Sequence, residues 1–343
     1  MSENRIGPFA VFRLLWFPFS LPAITLGATA VGLFWLANFG LAKVSEPQGS
    51  ADQMMLLFFA NLQSWIMSFS LAFPEKSGVF AIQSGVFLLL WAYLGVAMAR
   101  CAAVRLSRDE YVGLGESLKF ASRHFGSALL YPVVLVLVVA VVFAAGGLLG
   151  LAMQIPWLGT VFYIFLPLAF GLTLLNLIVS WTGIVGLGLV SGALAVERKG
   201  TLDAWGKSLN YIFARPIHVL LSLVVMKIVL VDVLVHYLME LKMLHAWTAS
   251  ALTVFHASPT FGAILTGSQD LGGIDRVDGW LWKAFSAALS VGILGWILSL
   301  FMAGMTGMFL ILRHDVDGID VADIELAMAD GDPDPASVEA PRE

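Results

Sequence analysis

Long runs of apolar residues, broken by short charged stretches, set the plan of this chain. Five runs reach the roughly 20 residues a helix needs to cross a bilayer: residues 18–41, 78–99, 127–153, 217–239 and 285–312. A sixth, residues 160–196, carries only neutral side chains. It is too long for one upright helix and too short for two with a turn between them. Pro167 with Gly171, Gly183, Gly186 and Gly188 predicts a single span, tilted or broken. The expectation is all-α: a polytopic membrane helix bundle of about six transmembrane helices, one domain over residues 1–314. The first span is too long for a signal-peptide core and reads as an uncleaved anchor.

Two further apolar stretches, residues 52–73 and 243–265, are interrupted by polar groups: Asn61, Gln63 and Ser64 in one, His245, Thr248 and His256 in the other. They are expected to lie on the outer face or to re-enter it.

Composition narrows the class. Hydrophobic residues make up 59% and charged residues 13%, with a mean hydropathy of +0.87. Soluble domains hold about 45–50% and about 25%. A soluble enzyme is excluded, and a net charge of -5 offers no basic surface for nucleic acid. The single cysteine, Cys101, excludes a disulfide framework and any CxxC metal site.

Charge also orients the chain. With the N-terminus inside, 13 of the Lys and Arg residues fall on the inner side and 5 on the outer, Lys227 lying within a span. Such a bias places both termini in the cytoplasm. The tail, residues 315–343, holds ten acidic residues and one arginine, and its Pro-, Asp- and Glu-rich end is expected to be disordered. Its Asp315-x-Asp317-Gly318 run looks like part of an EF-hand loop. Position 1 of that loop would be Arg313 and position 12 Ile324, so it does not chelate calcium that way.

The two large inner loops resemble each other at a spacing of 91 residues: Gly115, Ser117 and Leu118 recur as Gly206, Ser208 and Leu209. Each begins with a hydroxyl residue suited to capping a helix, Ser107 (with Glu110 completing a capping box) and Thr201. Each ends in an arginine, Arg123 or Arg215, and Pro216 suits the start of the following helix. Apolar residues recur at helical spacing: Tyr111, Leu114, Leu118 and Ala121 in the first, Leu202, Trp205, Leu209 and Ile212 in the second. Two cytoplasmic amphipathic elbow helices are therefore expected, each burying one stripe at the bilayer surface. They either orient the spans or dock a cytoplasmic partner or lipid headgroups.

The second elbow carries a longer pattern: Glu197, Asp203-Ala204-x-x-x-Ser208, then Tyr211-x-x-x-Arg215-Pro216. The chain's last span closes on Leu312-Arg313-x-x-Val316-Asp317-Gly318. Both resemble motifs of uncharacterised bacterial polytopic membrane proteins, notably of planctomycetes. The span–elbow–span plan is more distantly similar to the membrane domain of glycerophosphodiester phosphodiesterases. The resemblance implies the topology and a bacterial inner membrane; it brings no catalytic residue, because the phosphodiesterase chemistry belongs to a separate domain.

No nucleotide-binding, zinc-protease or nucleophile-elbow motif occurs. The six histidines, His124, His218, His236, His245, His256 and His314, form no i,i+4 pair. Asp270, Asp275 and Asp278 lie in a glycine-rich loop whose default reading is a solvated turn. No catalytic residue, metal site or cofactor is expected.

Two features remain. The last span has Gly295, Ser299, Ala303 and Gly307 at four-residue spacing, a continuous small-residue face for close helix packing. It is expected to pack within the bundle or against another subunit, so that leucine at Ala303 or Gly307 weakens assembly or folding more than leucine at the neighbouring Met302 or Met305. Shorter seams are Gly95/Ala99/Ala103, Gly146/Gly150 and Gly188/Gly192. The fifth span carries Lys227, Asp232, His236 and, at its outer end, Glu240. Counting from Pro216, Lys227 is about 16 Å deep, near the bilayer centre. Asp232, His236 and Glu240 share one face, and Lys227 points about 140° away. Ionised groups at such depth should face protein or water; Asn176 and Thr173 match them best in depth.

Taken together, the residues predict a non-enzymatic scaffold or accessory subunit of a membrane assembly. Its partners would be membrane lipids and other membrane subunits or further copies of itself. The alternative is a transporter or proton-conducting protein using the fifth span.

Overall fold

The computed structural model describes residues 21–45, 77–154, 166–197, 200–255 and 274–323. Among them all regular structure is helical. The helices are α1 (Leu21–Ser45), α2 (Ser77–Leu90), α3 (Val96–Arg108), α4 (Leu114–Met153), α5 (Leu166–Glu197), α6 (Thr201–Ala214), α7 (Pro216–Phe255) and α8 (Ile274–Asp317). A π turn, Trp91–Gly95, joins α2 to α3 without ending the helix. Among the described residues, five helices are long and apolar enough to cross a membrane. The bent pair Pro167–Gly183 and Val185–Glu197, meeting at 44°, makes a sixth. The protein is thus a multi-pass membrane helix bundle, and the expected break in the fourth span is present.

That break has a local cause and a local remedy. Glycines at 183, 186 and 188 leave α5 thin, and α4 and α8 press into the gaps. Added side chains at Gly183, Gly186 and Gly188 would collide with Leu135, Tyr131 and Met305 respectively. Bending withdraws backbone groups from the helical ladder, where no water is at hand to satisfy them. Tyr131 answers this by donating its hydroxyl to the Gly183 carbonyl at 2.7 Å.

α8 is the hub. It packs most extensively along α1 and also meets α3, α5, α6 and α7. The small-residue face faces inward: Ser299 and Ala303 are fully buried, and Gly295 and Gly307 are buried. Gly27 and Gly295 face each other so closely that a Cβ on either would strike the other helix's backbone. Ser299 donates to the Ala23 carbonyl at 2.7 Å. Of the two destinations open to the seam, it is the bundle itself. Met302 and Met305 are buried in the same core. Gly188 and Gly192 pack on α8, whereas Gly146 and Gly150 face open space.

The elbows differ from each other. The second is a helix of its own, α6, ended at Arg215 (φ −135°, ψ 56°) so that Pro216 opens α7. The first is not separate: residues 114–123 are the opening turns of the 40-residue α4. Ser107 does not cap it. Apolar residues carry α3 on to Arg108, Ser107 bonds back to the Ala103 carbonyl, and Asp109 ends the helix in the left-handed region (φ 61°). Thr201 is likewise not a cap; Gly200 precedes the helix, and the Thr201 hydroxyl donates to the Ser127 carbonyl at 2.7 Å, tying α6 to α4.

α7 does not stop at residue 239 but continues to Phe255, so residues 243–255 extend the fifth span's helix rather than opening a separate one. Residues 52–73 and 256–265, Asp270 and the tail beyond residue 323 lie outside the described residues.

Candidate functional site

Charged residues of the bundle gather where α3, α5 and α8 end and α6 lies across them. Glu197 is the last residue of α5 and is buried. Lys207 and Tyr211 are one turn apart on α6; Arg313 and Asp317 are one turn apart on α8. Four-residue spacing puts each pair on one face of its helix, and the faces meet.

Lys207 Nζ donates to Glu197 Oε1 at 2.7 Å and lies 3.8 Å from the Asp317 carboxylate. Arg313 Nε is 3.2 Å from the same Glu197 oxygen, and its Nη1 donates to the Asp323 carbonyl at 2.6 Å. Tyr211 donates its hydroxyl to the Asp317 carboxylate. Glu197 Oε2 is buried with no hydrogen bond among the described residues. Burial, together with the adjacent Asp317 carboxylate, pushes the Tyr211 phenol well above its ordinary value. Two acids and two bases balance, so the cluster is neutral and cross-braced.

The rest of the elbow motif falls around it. Ser208 is fully buried, its hydroxyl bonding to the Ala204 carbonyl, which lets α6 approach closely. Asp203 and Arg215 are exposed, and Pro216 starts α7. Glu197, Tyr211, Arg313 and Asp317 belong to two motifs that the sequence separates and the fold joins. Lys207 joins them without having been singled out, and Arg100, likewise not singled out, lies against the end of α5. Arg100 is nearly fully buried; it donates to the Ala195 carbonyl at 2.6 Å, near the C-terminal end of α5, and its guanidinium stands 4.8 Å from the centre of the Phe120 ring. The cation thus sits at the negative end of a helix and satisfies a terminal carbonyl. A signal for it existed. Phe120 occupies the repeat position of Tyr211, 91 residues earlier, so each elbow offers an aromatic to the polar end of the bundle.

The first repeat's Ser117 is also fully buried, contacting Cys101 Sγ at 2.9 Å and donating to the Gly113 carbonyl.

The polar stripe of α7 is placed differently. Lys227 is exposed, and Asp232 and His236 are about two-thirds exposed. His236 Nδ1 lies 3.4 Å from the Asp232 carboxylate and 2.9 Å from the Asp232 backbone carbonyl. Glu240 lies one turn further along α7, and its side chain is outside the described residues. Thr173 bonds within its own helix, and the Asn176 side-chain oxygen is buried without a hydrogen bond among the described residues. The stripe and the cluster at the elbow are separate places.

No family model, no curated protein and no solved structure matches this chain.

Proposed function

We propose that this protein is a scaffold or accessory subunit of a bacterial inner-membrane assembly, with α7 as the surface that receives a partner. One observation carries the reading: Lys227 and Asp232 are both exposed on α7, on different sides of the helix. A charge facing lipid at mid-membrane costs a few kcal/mol or more. A partner helix presenting complementary polar groups removes that penalty. The close-packing face of α8 is already occupied within the bundle, whereas α4 and α7 both keep exposed apolar faces, and of these two α7 carries the charges.

Both termini are cytoplasmic in this reading. The 13-to-5 bias of basic residues supports it. Lys207 lies on α6, Arg215 ends it, and Arg313, near the end of α8, meets Glu197 beside it.

A second reading, proton or ion conduction along α7, draws on the Asp232–His236 contact, a titratable pair one turn apart. Two measurements separate them. The first is particle size after extraction into native-lipid discs: assembly predicts a complex larger than the monomer that shrinks in Lys227→Met and Asp232→Asn. The second is pH-dependent flux in proteoliposomes. Flux in the wild type that Asp232→Asn abolishes would replace the scaffold with a transporter; a monomer and no flux would remove both.

A further inference from the structure

α6 has three faces where an ordinary amphipathic helix has two. Its bundle face is made of Thr201, Ala204, Ser208, Tyr211 and Ile212, all buried. Its water face carries Asp203 and Asn210, both exposed. Between these lies a third. Leu202, Leu209 and Phe213 fall within about 40° of one another at 100° per residue. Leu202 is 64% exposed and Phe213 63% exposed, with Leu209 half-buried. The bulky stripe that the sequence pattern suggests is thus divided: Ile212 and Trp205 pack on the bundle, whereas Leu202 is turned outward and Leu209 is half-buried.

We infer that this third face is seated in the bilayer, at the boundary between lipid headgroups and acyl chains. Two features of the fold place it there. Only residues 198–200 and Arg215 separate α6 from the ends of the spans α5 and α7, so it lies at the level of the membrane surface. The face is also continuous with the lipid-facing side of α7: Phe213 is followed by Ile217, 77% exposed, and then by exposed Leu220 and Leu221. An interfacial helix binds by burying its apolar stripe about 5–10 Å into that boundary while a basic residue meets the headgroups. Arg215, exposed next to Phe213, supplies that charge. The lipid surface thereby holds α6 from one side while the Glu197–Lys207–Asp317 contacts hold it from the other. The inference does not depend on any partner of α7.

The test uses the full chain in lipid nanodiscs of phosphatidylethanolamine and phosphatidylglycerol. Leu202→Cys, Phe213→Cys, Asp203→Cys and Asn210→Cys are each labelled with bimane, and the unaltered chain, whose one cysteine is buried, serves as the blank. A doxyl group near the headgroup should quench the labels at 202 and 213 several-fold more than those at 203 and 210. Aqueous iodide should give the opposite order. Iodide quenching all four alike would overturn the proposal. So would labels at 202 and 213 shielded from both quenchers, which would mean that a protein covers this face.

Discussion

The Nε of Arg313 lies 3.2 Å from Oε1 of Glu197, and Lys207 reaches the same oxygen at 2.7 Å. One buried carboxylate oxygen therefore contacts a cation from α8 and another from α6, with Asp317 supplying the second negative charge. Removing the shared partner of a buried pair leaves uncompensated charge and typically costs about 3–5 kcal/mol. Glu197→Ala should lower the unfolding midpoint in detergent substantially. Lys207→Ala should lower it much less, because the lysine is nearly a third exposed and water screens it. Similar losses from the two variants would remove Glu197 from the centre of the cluster.

Tyr211 is expected to make stability fall in alkali. Its phenol is pushed above the ordinary value of 10.0 by burial and by Asp317. A proton retained in the folded state but released from the unfolded one favours unfolding as pH rises. The contribution is whole below about 10 and is lost above it, toward the raised folded value. Thermal scans from pH 9 to pH 11 should show a steeper loss for wild type than for Tyr211→Phe. At neutral pH, Tyr211→Phe should cost about 1.5–3 kcal/mol, the range for a hydrogen bond to a charged group. Parallel pH profiles would contradict the Asp317 contact.

Gly295→Ala should weaken the bundle where Gly292→Ala does not. A Cβ at position 295 meets the backbone of Gly27 and Ala28, which cannot rotate away, whereas position 292 has open space. Overpacking of this kind costs about 1–3 kcal/mol. Comparing detergent-resistant folding of the two variants checks it, and equal stability would mean that α1 and α8 do not touch as described.

Reporter fusions after Arg123 and Arg215 should signal cytoplasm, and fusions near Gly49 and Gly272 the outside. The charge bias motivates this. An outside signal from either elbow would invert the proposed orientation.

Spans were legible in the sequence because lipid leaves the backbone few choices: a long apolar run crosses as a helix or does not cross. The bend in residues 160–196 was legible for the same reason, through its glycines. Helix ends were not. Ser107 and Thr201 have the chemistry of caps, but Ser107 bonds back into a helix whose apolar run continues, and Thr201 reaches across to Ser127. Local propensity yielded to tertiary contact. The seam from Gly295 to Gly307 was visible by its spacing, but spacing does not say which helix fills it. The elbow cluster shows the limit most clearly. Glu197, Tyr211, Arg313 and Asp317 stood in two motifs, yet Tyr211 and Asp317 are 106 residues apart, and no one-dimensional pattern pairs them.

The partnership of α1 with α8 has a consequence for how the protein is made. Ser299 bonds to a carbonyl 276 residues upstream, on the first described span. At about 5–20 residues per second, a ribosome takes tens of seconds to cover that distance. During this interval α1 is in the membrane while the glycine-lined surface it is shaped to meet has not been synthesised. Helices α3, α4 and α5 can already pack on one another, but α1 gains its main partner only when the last helix arrives. A nascent chain arrested before α8 should therefore be inserted yet incomplete, with Gly27, Gly188 and Gly192 bare to lipid and to whatever insertion factor attends them.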